Sequence, residues 1–241
     1  DDRSKLSTTK KIVEKVNRFL DKETDQENSK TVSLQDLQVE NLILKRDGKQ
    51  LATGIDLNVK PGKKIAVIGP SGAGKSTLLQ FLLYGKYGQA EAIRLNNKKV
   101  KAGTFPDLFS YASQAPVIFA DSLLFNLTLG KNISREKVEE VCDKLDLNEL
   151  IEEKGFDYQL GEAADKLSGG QLARIELARA ILMERPVLLL DEINASLDKK
   201  TSDIIHQYLL ASNLTFIEVI HHYEEDELKQ YDEILDLKDY I

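Results

Sequence analysis

Residues 69–77 read GPSGAGKST and satisfy the spacing G-x-x-x-x-G-K-[ST]. Glycines at 69, 72 and 74 let backbone N–H groups turn inward around a polyphosphate, and a helix directly after them adds its positive end. Lys75 supplies a mobile cation for the outer phosphates, and the Ser76 hydroxyl is placed to ligate Mg²⁺. The candidate nucleotide contacts are therefore Gly69, Pro70, Ser71, Gly72, Ala73, Gly74, Lys75, Ser76 and Thr77. A second constellation, VLLLDE, puts Asp191 and Glu192 at the end of an apolar strand. Ligands of parallel sheets bind at the carboxyl ends of strands, so both carboxylates are expected beside the phosphates. If the strand persists through them, adjacent side chains point opposite ways and can hold different jobs. Asp191 is the candidate to hold Mg²⁺ through its water shell, and Glu192 the candidate to polarise an attacking water. The plainer alternative is an acidic cap on a strand.

Residues 166–180, KLSGGQLARIELARA, pose a question, because Ser168 and two glycines before a helical run form another anion cradle. Ser168 and Gln171 fit the capping box S-x-x-Q, which accounts for those two residues without any ligand. It does not account for Gly169 and Gly170, each of which weakens a first turn by roughly 0.5–1 kcal/mol relative to Ala. Their use would be close approach of backbone N–H groups to an anion. The pattern predicts a helix from about Gln171 to Glu184, ended by Arg185-Pro186. Such a helix spans about 21 Å, and the strand that returns spans about 17 Å. The SGG end is thus expected on the side of Asp191 and beyond it, and spacing alone does not say whose phosphate it meets.

These residues need a scaffold. IDLNV alternates as a half-buried strand does, whereas KIAVIG is a continuous apolar run, as in a strand covered on both faces. Strand, Gly-rich loop and the helical LLQFLLYG come in that order. REKVEEVCDKL and NELIEEKG read as helices within a mostly helical stretch from Ser113 to Gly161, and DKKTSDIIHQYLLAS is a helix between VLLLDE and the strand TFIEVIHH. Alternating strands and helices predict an α/β fold with a mostly parallel sheet. With 241 residues, 41% of them apolar and 30% charged, the chain can bury a substantial core. Its net charge of −7 argues against a broad nucleic-acid footprint. The single Cys142 excludes an internal disulfide framework and fits a reducing compartment. No apolar run approaches the roughly 20 residues that cross a bilayer. At the start, KKIVEKVNRFL is a short amphipathic piece and DKETDQENSK a polar linker.

GPSGAGKST, Gln114 in YASQAPVIF, LSGGQ at 167–171, VLLLDE, NASLD at 194–198 and His221 occur in the order of an ABC ATPase. The chain resembles the nucleotide-binding domain of an ABC transporter over about residues 31–241, and residues 1–30 resemble the end of the membrane domain to which exporters fuse it. The resemblance implies a P-loop NTPase core with a mostly parallel sheet, an N-terminal antiparallel β subdomain and an inserted helical subdomain over about 115–171. It implies ATP as substrate with Mg²⁺, and a head-to-tail pair of such domains, homodimeric or heterodimeric. In such a pair Ser168, Gly169, Gly170 and Gln171 of one chain face the nucleotide held by the other. On that likeness Gln114 senses Mg²⁺ and the membrane domain, Asp198 couples the two sites, and His221 meets the γ-phosphate and orients the water. Without it, His221 beside His222 reads as a surface or packing histidine.

The likeness further implies a transmembrane domain in the same full-length chain, no nucleic-acid partner, and a place on the cytoplasmic face of the cell membrane. Arg46 stands where the family stacks an aromatic on adenine, and its guanidinium plane could stack instead. YQLGEAADK resembles the exporter TxxGExG pattern, with Tyr158 and Ala164 replacing its Thr and second Gly. Ala195 and Ser196 are swapped relative to the common SALD. A DNA-maintenance ATPase of the same superfamily would need a long coiled coil between Thr77 and Leu167, which the interval lacks. A GTPase would need N-K-x-D, and NNKKV lacks the Asp; a P-loop kinase leaves LSGGQ unexplained. A separate-subunit importer ATPase remains the nearer alternative.

Overall fold

Alternating Leu37, Val39, Leu42 and Leu44 bury one face of β1 (Leu37–Arg46), which turns through Asp47-Gly48 into β2 (Lys49–Val59). Both turn residues have positive φ, 50° and 77°, and the Asp-Gly pair suits a tight turn that matches the twist of the strands. The computed structural model describes residues 32–104, 107–161 and 166–241. The amphipathic and linker segments expected within 1–30, and Ala164, lie outside them. The described structure from Ser33 onward is one compact unit.

β4 (Gly88–Gln89) and β5 (Ala92–Leu95) pair antiparallel with β1, and β6 (Lys98–Lys99) pairs antiparallel with β5. Together these strands form the antiparallel subdomain. The second sheet contains β3 (Lys64–Ile68), β7 (Phe109–Ala112), β8 (Val187–Asp191), β9 (Phe216–Val219) and β10 (Glu233–Asp236), in the order β10-β3-β9-β8-β7. Every neighbouring pair in it is parallel. All five residues of β8 are buried, as the uninterrupted apolar run requires of a strand covered on both faces.

Helix α1 (Lys75–Tyr84) touches both sheets, through β1 and β8. Between β7 and the next long helix lie α2 (Leu123–Thr128), α3 (Arg135–Lys144) and α4 (Asn148–Lys154). Ser122 and Ser134 cap the first two by accepting the N–H of Phe125 and Lys137. Leu123, Leu127, Val138 and Cys142 join Leu188, Leu190 and Phe216 of the parallel sheet in a continuous core. Burial pushes the Cys142 thiol up to about 12, which makes it a packing residue. The rest of the described chain adds α5 (Gly169–Leu182), α6 (Lys199–Ala211) and the short α7 (Glu225–Leu228).

Helix α5 starts two residues earlier than expected and ends two residues earlier. Ser168 is the N-cap, so both glycines belong to the first turn. At the other end Glu184 takes a left-handed φ of 51° ahead of Arg185-Pro186, so the chain leaves the helix before the proline restriction acts.

Candidate nucleotide and metal site

Five parallel strands deliver their carboxyl ends to one edge, and the site is built from the segments that leave those ends. After β3 comes the Gly-rich loop, whose φ values at Gly69, Gly72 and Gly74 are 141°, 82° and 102°. A side chain at Gly69 would also meet Leu237 Cβ at 3.2 Å, so the loop's first position combines an unusual backbone with no room. Pro70, Ser71 and Gly72 are exposed at the mouth, while Ala73 and Thr77 are buried beneath it. Lys75 opens α1 and folds back, donating from Nζ to the carbonyls of Gly69 at 2.8 Å and Pro70 at 3.2 Å. Burial lowers its pKa, against the opposing pull of the Glu192 and Asp191 carboxylates.

After β8 the two carboxylates separate, though not as a continuing strand would separate them. The strand stops at Asp191, and Glu192 takes a left-handed conformation at φ 54° and ψ 43° that starts the 3-10 turn Ile193–Ser196. A non-glycine residue there carries a backbone cost of about 1–2 kcal/mol. The result aims Asp191 and Glu192 at different partners. Asp191, 7% exposed, accepts from Ser76 Oγ at 3.1 Å and from Tyr111 Oη at 3.0 Å. Glu192 accepts from Gln114 Nε2 at 2.6 Å on one oxygen, and its other oxygen lies 2.8 Å from His221 Nε2. Gln114 comes after β7, and His221 after β9. The expected metal residues Ser76, Asp191 and Gln114 therefore gather through Asp191–Ser76 and Gln114–Glu192 contacts. The Ser76 hydroxyl and the Asp191 carboxylate are hard oxygen donors side by side, which suits Mg²⁺. Among the described residues no group of three or more His, Cys, Asp or Glu could hold a metal by itself, so a cation here would draw further oxygens from a ligand.

The SGG end of α5 packs against the end of the 3-10 turn that follows Glu192. A Cβ on Gly169 would stand 3.4 Å from Ser196 Cβ, and one on Gly170 would stand 3.0 Å from the Ser196 carbonyl oxygen. The capping box forms as read: Ser168 Oγ accepts from the Gln171 N–H at 3.1 Å, and Gln171 Oε1 accepts from the Ser168 N–H at 2.9 Å. Gln171 thus spends its side chain on the helix start. Asp198 does likewise for α6, accepting from the Thr201 N–H and hydroxyl, and these two bonds hold its carboxyl below the usual range.

A family model described as ABC transporter matches residues 52–195, more than half of the chain. The chain belongs to the ABC transporter family. Over 188 residues it is 30% identical to the ABC multidrug transporter MDR1 of Cryptococcus neoformans var. grubii, covering 73% of this chain and 13% of that protein. Over 186 residues it is 34% identical to ATP-binding cassette sub-family B member 6 of Xenopus tropicalis, covering 73% and 22%. Among solved structures, a bacterial Atm1-family ABC exporter with ATP bound superposes with a TM-score of 0.71 at 26% identity, over 86% of this chain and 38% of the exporter. This ABC-family chain therefore spans a quarter or less of those two curated relatives.

Arg46, at the end of β1, lies with its guanidinium 5.6 Å from the centre of the Tyr87 ring and 4.0 Å from the Asp47 carboxylate. Its half-exposed plane thus already has one aromatic neighbour, which the sequence pattern does not disclose. Tyr111 is likewise missed by motif reading. It sits beside β8 in the strand before Gln114, and burial together with Asp191 drives its phenol far above the ordinary range, so it acts as a donor to that carboxylate.

Behind Glu192 the ABC-family chain carries a buried polar bridge. His206 Nε2 on α6 lies 2.9 Å from Asn194 Nδ2 and 3.0 Å from Glu218 Oε1, and Tyr231 donates to the other Glu218 oxygen at 2.6 Å. Burial pulls the His206 pKa down, but Glu218, with Glu227 and Asp203 farther off, outweighs it and the net direction is up from 6.5. The folded chain thus holds this proton more tightly than the unfolded chain. The stabilisation is complete below the unfolded value near 6.5 and is lost as pH rises through the higher folded value. Below pH 6.5 wild type is expected to melt about 2–4 °C above His206→Gln in paired thermal melts, a gap that narrows as pH rises from there. A gap independent of pH would show that folding leaves the affinity of His206 for its proton unchanged.

Proposed function

We propose that the chain is the ATP-binding and ATP-hydrolysing domain of an exporter, working as a head-to-tail pair with a second such domain. The observation that carries this reading is the Glu192 carboxylate, held between Gln114 and His221 at the strand edge that also presents Ser76 and Asp191. An exporter with ATP bound is among the solved structures it resembles. Residues 1–30 would then be the tail of an upstream membrane domain, and 31–241 the ATPase domain with a helical subdomain over about 115–171. The full-length chain would place this domain at the cytoplasmic face of the cell membrane. Among the described residues no helix is long and apolar enough to cross a membrane, so the spans this reading requires would come from outside them.

In this reading the P-loop amides and Lys75 take up the β- and γ-phosphates, Lys75 exchanging the Gly69 and Pro70 carbonyls for phosphate oxygens. Ser76 and Asp191 would hold Mg²⁺, which when bound neutralises charge gathering on the phosphate oxygens. Glu192 accepts a proton from a water as that water's oxygen bonds to the γ-phosphorus; the bond from phosphorus to the β–γ bridging oxygen breaks and ADP leaves. His221 and Gln114 hold the Glu192 carboxylate in place. The Ser168 hydroxyl and the first-turn N–H groups of Gly169 and Gly170 are offered to the γ-phosphate of the opposite chain.

A site shared across two chains makes activity depend on association. Hydrolysis per molecule is expected to rise with protein concentration until the pair is saturated, measured as steady-state phosphate release alongside sedimentation. A flat dependence at concentrations where the chain sediments as a monomer would refute the shared site.

A further inference from the structure

Two turns into α5 a carboxylate is buried where the helix needs none. Glu176 is 5% exposed, and all the hydrogen bonds it receives come from one segment. Its Oε2 accepts from the Ser113 N–H at 2.7 Å and from Ser113 Oγ at 2.9 Å, and its Oε1 accepts from the Val117 N–H at 3.0 Å. Those donors bracket Gln114-Ala115-Pro116, so a single carboxylate clamps both ends of the short loop that carries Gln114. The exposed Gln114 in turn donates to Glu192 at 2.6 Å. Burial raises the Glu176 pKa, and the bonds from Val117 and Ser113, with Arg179 one turn on, oppose the rise. An alanine would fill this helix face without the cost of burying a charge, so packing alone does not call for Glu176.

Glu176 lies seven residues, about 10 Å, from the Gly169 start of the same helix. We propose that Glu176 is a positioning residue: it fixes Gln114 against Glu192 and ties that placement to the helix whose SGG end faces the opposite chain's nucleotide. This rests on the reading given under Proposed function. It adds that α5 joins the two nucleotide sites of a pair, because occupancy at its SGG end and the setting of its own chain's Gln114 share one rigid helix.

The test uses four single variants and one double variant of the 241-residue chain. Glu192→Gln checks the underlying reading and must lose turnover. Glu176→Gln puts an amide N–H against a backbone N–H of the loop; kcat is expected to fall about tenfold, with the Kd for ATP, titrated in EDTA, changed by less than about twofold. Gln114→Ala should fall by a similar factor, and combining it with Glu176→Gln should cost nothing further, since one acts through the other. A merely structural glutamate would instead give additive losses. Ser113→Ala deletes one of the three bonds and is expected to cost about two- to threefold in kcat; it decides the matter if Glu176→Gln does not fold by circular dichroism. Full kcat in folded Glu176→Gln, additivity with Gln114→Ala, or an unaffected Gln114→Ala would each overturn the inference while Glu192→Gln stays inactive. Turnover by Glu192→Gln would sink the inference together with the reading beneath it.

Discussion

Glu192→Gln is expected to bind ATP with wild-type affinity and to hydrolyse it about two to four orders of magnitude more slowly, the loss that removal of a general base produces. The substitution is close to isosteric. A glutamine carbonyl at 192 can still accept from Gln114 Nε2, now 2.6 Å from the carboxylate, and its amide N–H can donate to His221 Nε2, now at 2.8 Å. The left-handed backbone at φ 54° is no harder for Gln than for Glu. The group that takes the proton from water is the one thing lost. Nucleotide titration and single-turnover phosphate release separate the two effects. Unchanged hydrolysis would remove Glu192 as the base, and lost affinity with an unchanged single-turnover rate at saturating nucleotide would assign it to nucleotide binding instead.

Much of the frame around this residue can be read from local sequence, because its signals act over a few residues. The apolar runs within KIAVI and VLLLD read as strands covered on both faces and form them, and the glycines at 69, 72 and 74 mark backbone that side chains resist. The Ser168–Gln171 capping box forms as its spacing predicts. Pairs joined across the fold escape such reading. Tyr111 and Asp191 are 80 residues apart, and Ser113 and Glu176 are 63 apart. Neither pair leaves a period or a motif, since in each the partner lies on an element that is otherwise ordinary core. Glu218 is the exception that does leave a signal, because it interrupts the apolar run TFIEVI with a charge that is 1% exposed. Strand alternation predicts that Asp191 and Glu192 separate. A left-handed residue achieves the separation instead, which no propensity for Glu would suggest.

Two inactive chains are expected to restore one another. Lys75→Ala removes the cation of the Gly-rich loop, and Gly170→Asp places a negative side chain in the first turn of α5, where even a Cβ would stand 3.0 Å from the Ser196 carbonyl oxygen. Each alone should lose about 100-fold or more in phosphate release, one through missing charge stabilisation and the other through repulsion and crowding at the SGG end. If the first cradle of one chain and the SGG of another act on the same nucleotide, a mixed pair contains one site with Lys75 and Gly170 both intact. Random pairing makes half of all pairs mixed, so an equimolar mixture should regain on the order of a quarter of wild-type activity, provided one intact site turns over by itself. If both cradles of one chain served the same nucleotide, no combination of these chains would contain an intact site. Mixtures that stay inactive, with mixed pairs demonstrated by tag-based co-purification and with a Lys75→Ala and wild-type mixture active, would show that the SGG of α5 works on its own chain's nucleotide. The hydrogen-bond arrangement favours recovery: in this chain the capping box takes up the N–H groups of Gln171 and Ser168 and leaves Gly169 at the exposed surface, where a second chain can reach it.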